Sequence, residues 1–277
     1  MTTVSVALVY PDLLGTYGDG GNAMVLAQRL RWRGYEAEIV TVTAGQAVPD
    51  SCELYVVGGG EDLPQALAAA RLLEGRALHR AVASGAAVLA VCAGLQILGE
   101  AFAGADGGAT EGLGLLPCVT HISAKPRAIG EILVRPAERW GDLGLLTGFE
   151  NHGAVTTLLP GAEAAGHVLV GAGNEDGTDE GVVSGRIWGT YLHGPVLARN
   201  PKLADLLLSW VVGDLGPLDD AEPCALHDER AEHGPAERRR LRGAPASAFS
   251  WAKGYLGKMT HQSVASQKVA SQEVGER

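Results

Sequence analysis

Positive charge is in short supply in this chain: lysine and arginine number 22 against 32 aspartates and glutamates, for a net charge of −10 at pH 7. That balance excludes nucleic acid or an anionic membrane as the main partner, because phosphate-rich surfaces are held by clustered cations. A small-molecule substrate is expected instead. Long apolar runs are missing too, with none reaching the roughly 18 residues that a bilayer-spanning helix needs. The opening Met1-Thr-Thr-Val-Ser-Val6 lacks the basic and apolar segments of a secretory signal. A cytoplasmic protein is the expectation. Cysteine is sparse: Cys52, Cys92, Cys118 and Cys224 lie far apart with no Cys-x-x-Cys pair, which predicts neither a disulfide framework nor a structural zinc, and no metal site.

What is present is the composition of a globular protein, 46% hydrophobic and 19% charged over 277 residues, enough to bury a sizeable core. Short Val/Leu-rich runs at residues 4–10, 37–42, 54–57 and 86–91 read as strands, with helices over 21–33 and 64–84. Buried strands alternating with helices imply an α/β fold around a mostly parallel sheet covered on both faces. A helix over 93–103 follows. From residue 104 to 189 Gly-rich turns separate short segments, and strands are expected at 129–134, 154–158, 168–172, 181–184 and 187–192 in an antiparallel or mixed arrangement. An amphipathic helix over 200–212, with Pro201 in its first turn, closes a domain of residues 1–213. Residues 214–259 read as a partly helical extension, with a helix near 236–241. Residues 260–277 are polar enough to predict disorder.

The strongest local signal is Ala86-Ala-Val-Leu-Ala-Val-Cys92-Ala-Gly-Leu-Gln96, a buried strand running directly into a helix with cysteine at the junction. Such an elbow lifts the sulfur above the sheet, near free N–H groups that favour a thiolate. The plain alternative is a buried structural cysteine, since free Cys is among the most buried residue types. A thiolate needs a base. His193, in Tyr191-Leu-His193-Gly-Pro195 at the end of an apolar strand, is the first candidate, and His152, in Phe149-Glu-Asn-His152-Gly, is its rival. Acyl transfer also needs donors for an oxyanion. The run Gly58-Gly59-Gly60 at another strand end, together with the N–H of Ala93, makes Gly59, Gly60 and Ala93 the candidates. A formal Gly18-x-Gly20-x-x-Ala23 match to a dinucleotide fingerprint fails on context: seven residues part Tyr10 from Gly18, and the second strand ends in Thr41-Val-Thr43 where an acidic residue is expected.

Together, the elbow at Cys92, the glycine run and Tyr191-Leu-His193-Gly-Pro195 resemble a class I glutamine amidotransferase of the cobyric acid synthase-like branch. Tyr10-Pro-Asp with Tyr17-Gly-Asp19-Gly-Gly-Asn22, Gly148-Phe-Glu-Asn-His152 and residues 191–201 narrow the likeness to the GatD-like glutaminase subunits of lipid II isoglutaminyl synthase, over residues 4–212. The resemblance implies a three-layer flavodoxin-like sandwich that hydrolyses L-glutamine through a cysteinyl thioester at Cys92, with His193 as base. It implies that Arg127, in Lys125-Pro-Arg127, binds the substrate carboxylate, a role suited to a guanidinium fork. The ammonia would pass to a Mur-ligase-like synthetase subunit in a heterodimer. That partner would carry ATP and Mg, bind lipid II and amidate its D-glutamate, while this chain would need no cofactor.

One departure stands out. Many class I amidotransferases complete a triad with Glu two residues after the histidine, and here that residue is Pro195. An acid from the partner subunit is the expected substitute, with Asp19 of the N-terminal glycine loop as the second choice. Other readings keep the fold and change the activity. They are an amidotransferase for another acceptor such as a corrinoid acid, a non-catalytic regulatory subunit, and a cysteine hydrolase or redox sensor.

Overall fold

The computed structural model describes residues 3–104, 107–174 and 178–243. Contacts group residues 1–236 into one compact unit, which holds the site and every element described below except the end of the last helix. In chain order its first half comprises β1 (Val4–Val9), α1 (Gly21–Trp32), β2 (Ala37–Val42), β3 (Leu54–Val57), α2 (Asp62–Gly75), α3 (Ala77–Ala83), β4 (Ala87–Val91) and α4 (Ala93–Leu98). Then follow β5 (Ala101–Ala103), β6 (Ala109–Glu111), β7 (Cys118–Ile122), β8 (Ala128–Pro136), β9 (Leu146–His152), β10 (Ala154–Leu158), β11 (Gly166–Val170) and β12 (Asp179–Glu180). The second half ends with β13 (Val182–Ser184), β14 (Ile187–Thr190), α5 (Val196–Arg199), α6 (Pro201–Val212) and a helix α7 that begins at Ala221 (Ala221–Gly243).

The main sheet has the order β13-β14-β4-β3-β1-β2. Its strands pair in parallel except for β13 with β14. Burial follows position. β3 and β4 are buried at every residue because neighbours flank them and helices cover them, whereas β2, at the edge, is largely half-exposed. Ala23, Leu26, Ala27 and Leu30 form the buried stripe of α1, and Leu203, Ala204, Leu207 and Leu208 that of α6. These spacings of three and four place each set on one helical face. Two smaller sheets complete the fold, β10-β7-β5-β6 and β12-β11-β8-β9. The first is mixed and the second antiparallel, as the Gly-rich texture of residues 104–189 predicts.

Several boundaries differ from expectation. The single helix read over 64–84 is two, α2 and α3, because Arg76 takes a left-handed conformation at φ 46° just after Gly75. The helix read over 93–103 stops at Leu98, and Ala101–Ala103 turns back as a strand paired with β6 and β7. The helix expected at 236–241 begins much earlier, at Ala221. The tail expected to be disordered, 260–277, lies outside the described residues.

A charge cluster ties the end of the domain to its start. Arg29 of α1, only 3% exposed, donates to both carboxylate oxygens of Asp205 at 2.7 Å and to both of Asp220 at 2.8 and 2.7 Å. Arg33 joins Asp205 at 2.7 Å. The Asp220 carboxyl is held below its usual range by that hydrogen bond, which outweighs the opposing effect of burial. Removing the arginine leaves two part-buried carboxylates facing the gap it vacates, with only Arg33 still on Asp205. Arg29→Met should therefore destabilise the fold by about 3–5 kcal/mol, the cost typical of breaking a buried ion pair from one side. Denaturant unfolding checks this, and a loss below about 1 kcal/mol, the size of a surface pair, would show the cluster to be incidental.

Candidate active site

The sheet carries its chemistry at the C-terminal ends of its parallel strands, the edge where open α/β sheets bind ligands. Cys92 stands between β4 and α4 with φ 53° and ψ −107°, a conformation that costs a non-glycine residue on the order of 1–3 kcal/mol. Its neighbours maintain it. The N–H of Cys92 donates to Thr190 O at 2.8 Å, that of Gln96 to Cys92 O at 3.1 Å, and that of Gly94 to Gly58 O at 3.1 Å. A β-carbon on Gly94 would lie 2.3 Å from Val57 O, so this turn admits only glycine. The elbow read from the sequence is present and strained.

His193 follows β14, and its backbone is clamped to β9: Phe149 N–H donates to His193 O at 3.0 Å and His193 N–H to Phe149 O at 2.9 Å. Its Nδ1 lies 3.1 and 3.2 Å from the two carboxylate oxygens of Asp19, which is wholly buried in the loop after β1. The other nitrogen, Nε2, is buried without a well-formed hydrogen bond and is the one left for the Cys92 thiol, which interacts with the ring. Burial pushes the imidazole pKa down. The Asp19 hydrogen bond and then the Cys92 interaction outweigh it and raise the pKa to about 9. Near neutral pH the ring is thus an imidazolium beside a sulfur, the arrangement that favours a thiolate.

Gly59 marks where the three side chains meet. A β-carbon there would lie 2.8 Å from His193 Cε1, 3.1 Å from Asp19 Oδ2 and 3.5 Å from Cys92 Cβ. This geometry bears on two expectations. Within this chain the carboxylate on the histidine is that of Asp19, the second choice read from the sequence. The N–H of Gly59 already donates to Asp19 Oδ2 at 2.8 Å, so it is not free to hold an oxyanion. Gly60 and Ala93 remain for that role.

Cys92, Gly60, Ala93, Gln96, Arg127, Asn151 and His152 line one cavity of about 180 Å³. A roomier cavity of about 660 Å³ lies among Trp32, Tyr35 and Val212, and no cysteine or histidine lines it. Arg127 is exposed at the rim, and its Nε and Nη2 donate to the side-chain and backbone oxygens of Asn151. The rival His152 also faces the cavity, but as part of its wall. Its Nδ1 is 3.1 Å from Ala154 O, its ring stacks on Tyr191 at 4.0 Å, and Nε2 lies 3.8 Å from Glu150. Behind it runs a polar chain that links Gln65 to Gln96 at 2.9 Å, Gln96 to Tyr191 at 3.3 Å and Tyr191 to Thr156 at 2.6 Å. Sequence reasoning missed Gln96, Asn151 and Tyr17. Each sits inside a motif already singled out, and adjacency to Cys92, His152 and Asp19 was the available signal.

Among the described residues no cluster of three or more His, Cys, Asp or Glu could hold a metal ion. No described helix is long and apolar enough to cross a membrane. The four cysteines are free, and burial first, then Glu100, push the Cys118 thiol up to about 12.

A mostly parallel α/β sandwich carrying a cysteine on a strained strand–helix junction, faced by a buried histidine, is the architecture of class I glutamine amidotransferases. Two solved structures share the fold. One is a glutamine amidotransferase (TM-score 0.51, 19% identity, 75% of this chain and 98% of that one), and the other is PurLQS from Thermotoga maritima (TM-score 0.51, 16% identity, 76% and 98%). The chain belongs to the CobB/CobQ-like glutamine amidotransferase domain family, whose model matches residues 5–201. It is similar to the lipid II isoglutaminyl synthase (glutamine-hydrolyzing) subunit GatD of Staphylococcus aureus, with 36% identity over 200 residues covering 71% of this chain and 79% of the relative. The subunit of the same name from Streptococcus pneumoniae is 32% identical over 209 residues, covering 74% and 79%. A hydrogenobyrinate a,c-diamide synthase from Rhizobium meliloti is 32% identical over 165 residues, covering 58% of this chain and 38% of that protein.

Proposed function

We propose that this chain is the glutaminase subunit of a lipid II isoglutaminyl synthase, a cytoplasmic protein working in a heterodimer. The observation that carries the chemistry is the convergence of Cys92, His193 and Asp19 at Gly59, beside a cavity with Arg127 at its rim. The acceptor is argued from the two relatives named for that activity.

Glutamine enters with its α-carboxylate on Arg127 and its side-chain amide against Cys92. The sulfur, its proton held by His193 Nε2, attacks the amide carbon. The N–H groups of Gly60 and Ala93 donate to the developing oxyanion, where preorganised donors act most strongly. His193 then gives its proton to the departing nitrogen, and ammonia leaves behind a thioester. The neutral imidazole next takes a proton from water, whose oxygen attacks the thioester and releases glutamate. Asp19 keeps Nδ1 protonated throughout and stabilises the imidazolium that forms. The ammonia passes to a Mur-ligase-like partner that holds ATP and Mg, and there it amidates the α-carboxylate of the stem-peptide D-glutamate.

The test is reconstitution of the full chain with the Mur-ligase-like protein that co-purifies with it, supplied with ATP, Mg, glutamine and lipid II. The expected product is lipid II carrying one carboxamide in place of a carboxyl, formed only with intact Cys92. Glutamine-dependent amidation of a corrinoid acid, with lipid II untouched, would overturn the acceptor. No ammonia release under any condition would overturn the glutaminase.

A further inference from the structure

The site contains a second connection that glutamine hydrolysis by itself does not require. Arg127 is exposed, and a free arginine at a rim samples many rotamers. Here Asn151 holds it, with Oδ1 accepting from Nε and the backbone oxygen accepting from Nη2 at 3.0 Å. The same amide donates through Nδ2 to the Tyr17 hydroxyl at 2.6 Å. A guanidinium has only donors, so the amide can face Arg127 only with its oxygen, which leaves its N–H groups for Tyr17. The Tyr17 ring lies against the His193 imidazole, with centroids 4.6 Å apart and planes tilted by 54°. Tyr17 shares a loop with Asp19, which holds the imidazole Nδ1, and Asn151 shares β9 with Phe149, which clamps the His193 backbone.

We infer that Asn151 and Tyr17 are positioning residues that join the substrate anchor Arg127 to the imidazole of His193, so that a glutamine carboxylate seated on Arg127 also sets the placement of the base. The inference rests on the glutaminase reading above. The neutral amide at position 151 holds Arg127 with its oxygen and Tyr17 with its nitrogen without adding a charge beside the guanidinium. An aspartate there would pair with Arg127 as a rival to the substrate carboxylate, with the Tyr17 hydroxyl turned from acceptor to donor.

The test uses the full chain and two thiol reagents. Diazo-oxonorleucine carries the amino-acid head of glutamine, and its reaction forms an Sγ–carbon bond as dinitrogen leaves. Iodoacetamide has no α-carboxylate. Mass spectrometry of the Cys92 adduct yields KI and kinact for the first reagent and the pH profile of alkylation for the second. Arg127→Ala and Asn151→Ala should each raise KI about tenfold, a size typical of a lost hydrogen bond to a charged group. The double variant should be no worse than Arg127→Ala alone, because the two act as a unit. Asn151→Asp should raise KI at least as far as Asn151→Ala. Tyr17→Ala should lower kinact and shift the iodoacetamide pH profile, while Tyr17→Phe, which keeps the ring, should change KI alone.

Additive effects of Arg127→Ala and Asn151→Ala would overturn the connection, as would a Tyr17→Ala protein with unaltered kinact and pH profile. A parent chain that forms no Cys92 adduct with diazo-oxonorleucine, or an Arg127→Ala chain with unchanged KI, would overturn the glutaminase reading and the inference with it. The two failures are thus told apart.

Discussion

Cys92→Ala is expected to abolish ammonia release from glutamine, a loss of at least about 10⁴-fold, because among the described residues no other thiol lines the cavity to form the acyl intermediate. The variant should fold normally. Cys92 is 6% exposed and its left-handed backbone is held by Thr190, Gln96 and the Gly94–Gly58 contact, none of which uses the sulfur. Alanine is no worse suited to φ 53° than cysteine. The other cysteines cannot substitute. Cys118 is buried with its thiol pKa pushed up to about 12, Cys52 is likewise raised by burial, and Cys224 lines a different cavity. The measurement is coupled detection of ammonia, with far-UV circular dichroism and a melting curve as controls for folding. Activity in a well-folded Cys92→Ala protein would sink the assignment of the nucleophile.

Asp19→Asn should cost about 10²–10⁴-fold in kcat, the range seen when a base loses the group that orients it. Asparagine can still accept the Gly59 N–H, but it presents an N–H₂ group rather than a carboxylate to His193 Nδ1 if its oxygen stays on Gly59. Nδ1 then becomes the acceptor, the proton moves to Nε2, and the ring can no longer take the thiol proton. A pH signature follows as well. The folded-state pKa of His193 is raised from 6.5 to about 9, so its contribution to stability is complete below pH 6.5 and is lost as pH rises through 9. Without the Asp19 carboxylate the largest of the effects that raise the pKa is lost, and the pKa falls. The decline in melting temperature between those two pH values should therefore flatten in the variant. Full turnover by Asp19→Asn would return the role to an acid from elsewhere, as Pro195 in place of the usual Glu first suggests. Measurable turnover by the isolated parent chain would support Asp19.

The places where sequence reasoning failed share a cause. Gly59 reads as an oxyanion donor because a glycine run at a strand end leaves its N–H groups open, and nothing local reveals that a carboxylate 40 positions away takes this one. Likewise Gly75-Arg76 is an unremarkable stretch of helical sequence until Arg76 turns left-handed and directs α3 away from α2. The strand β9 was legible only as a motif, Gly148-Phe-Glu-Asn-His152. Its value as the scaffold for His193, Arg127 and Tyr17 emerges once it pairs with β8 and bridges to His193.

By itself the sequence determined the parallel sheet, the elbow at Cys92, the histidine after β14 and the family, because these depend on hydrophobic spacing and residue order along short stretches. The tertiary structure alone decided which acid holds the imidazole, which glycine N–H groups stay free and what fixes Arg127. The Asp19–His193 contact spans 174 positions and the Asn151–Tyr17 contact 134, and the side chains meet only because β1, β9 and β14 bring their ends to one edge of the fold.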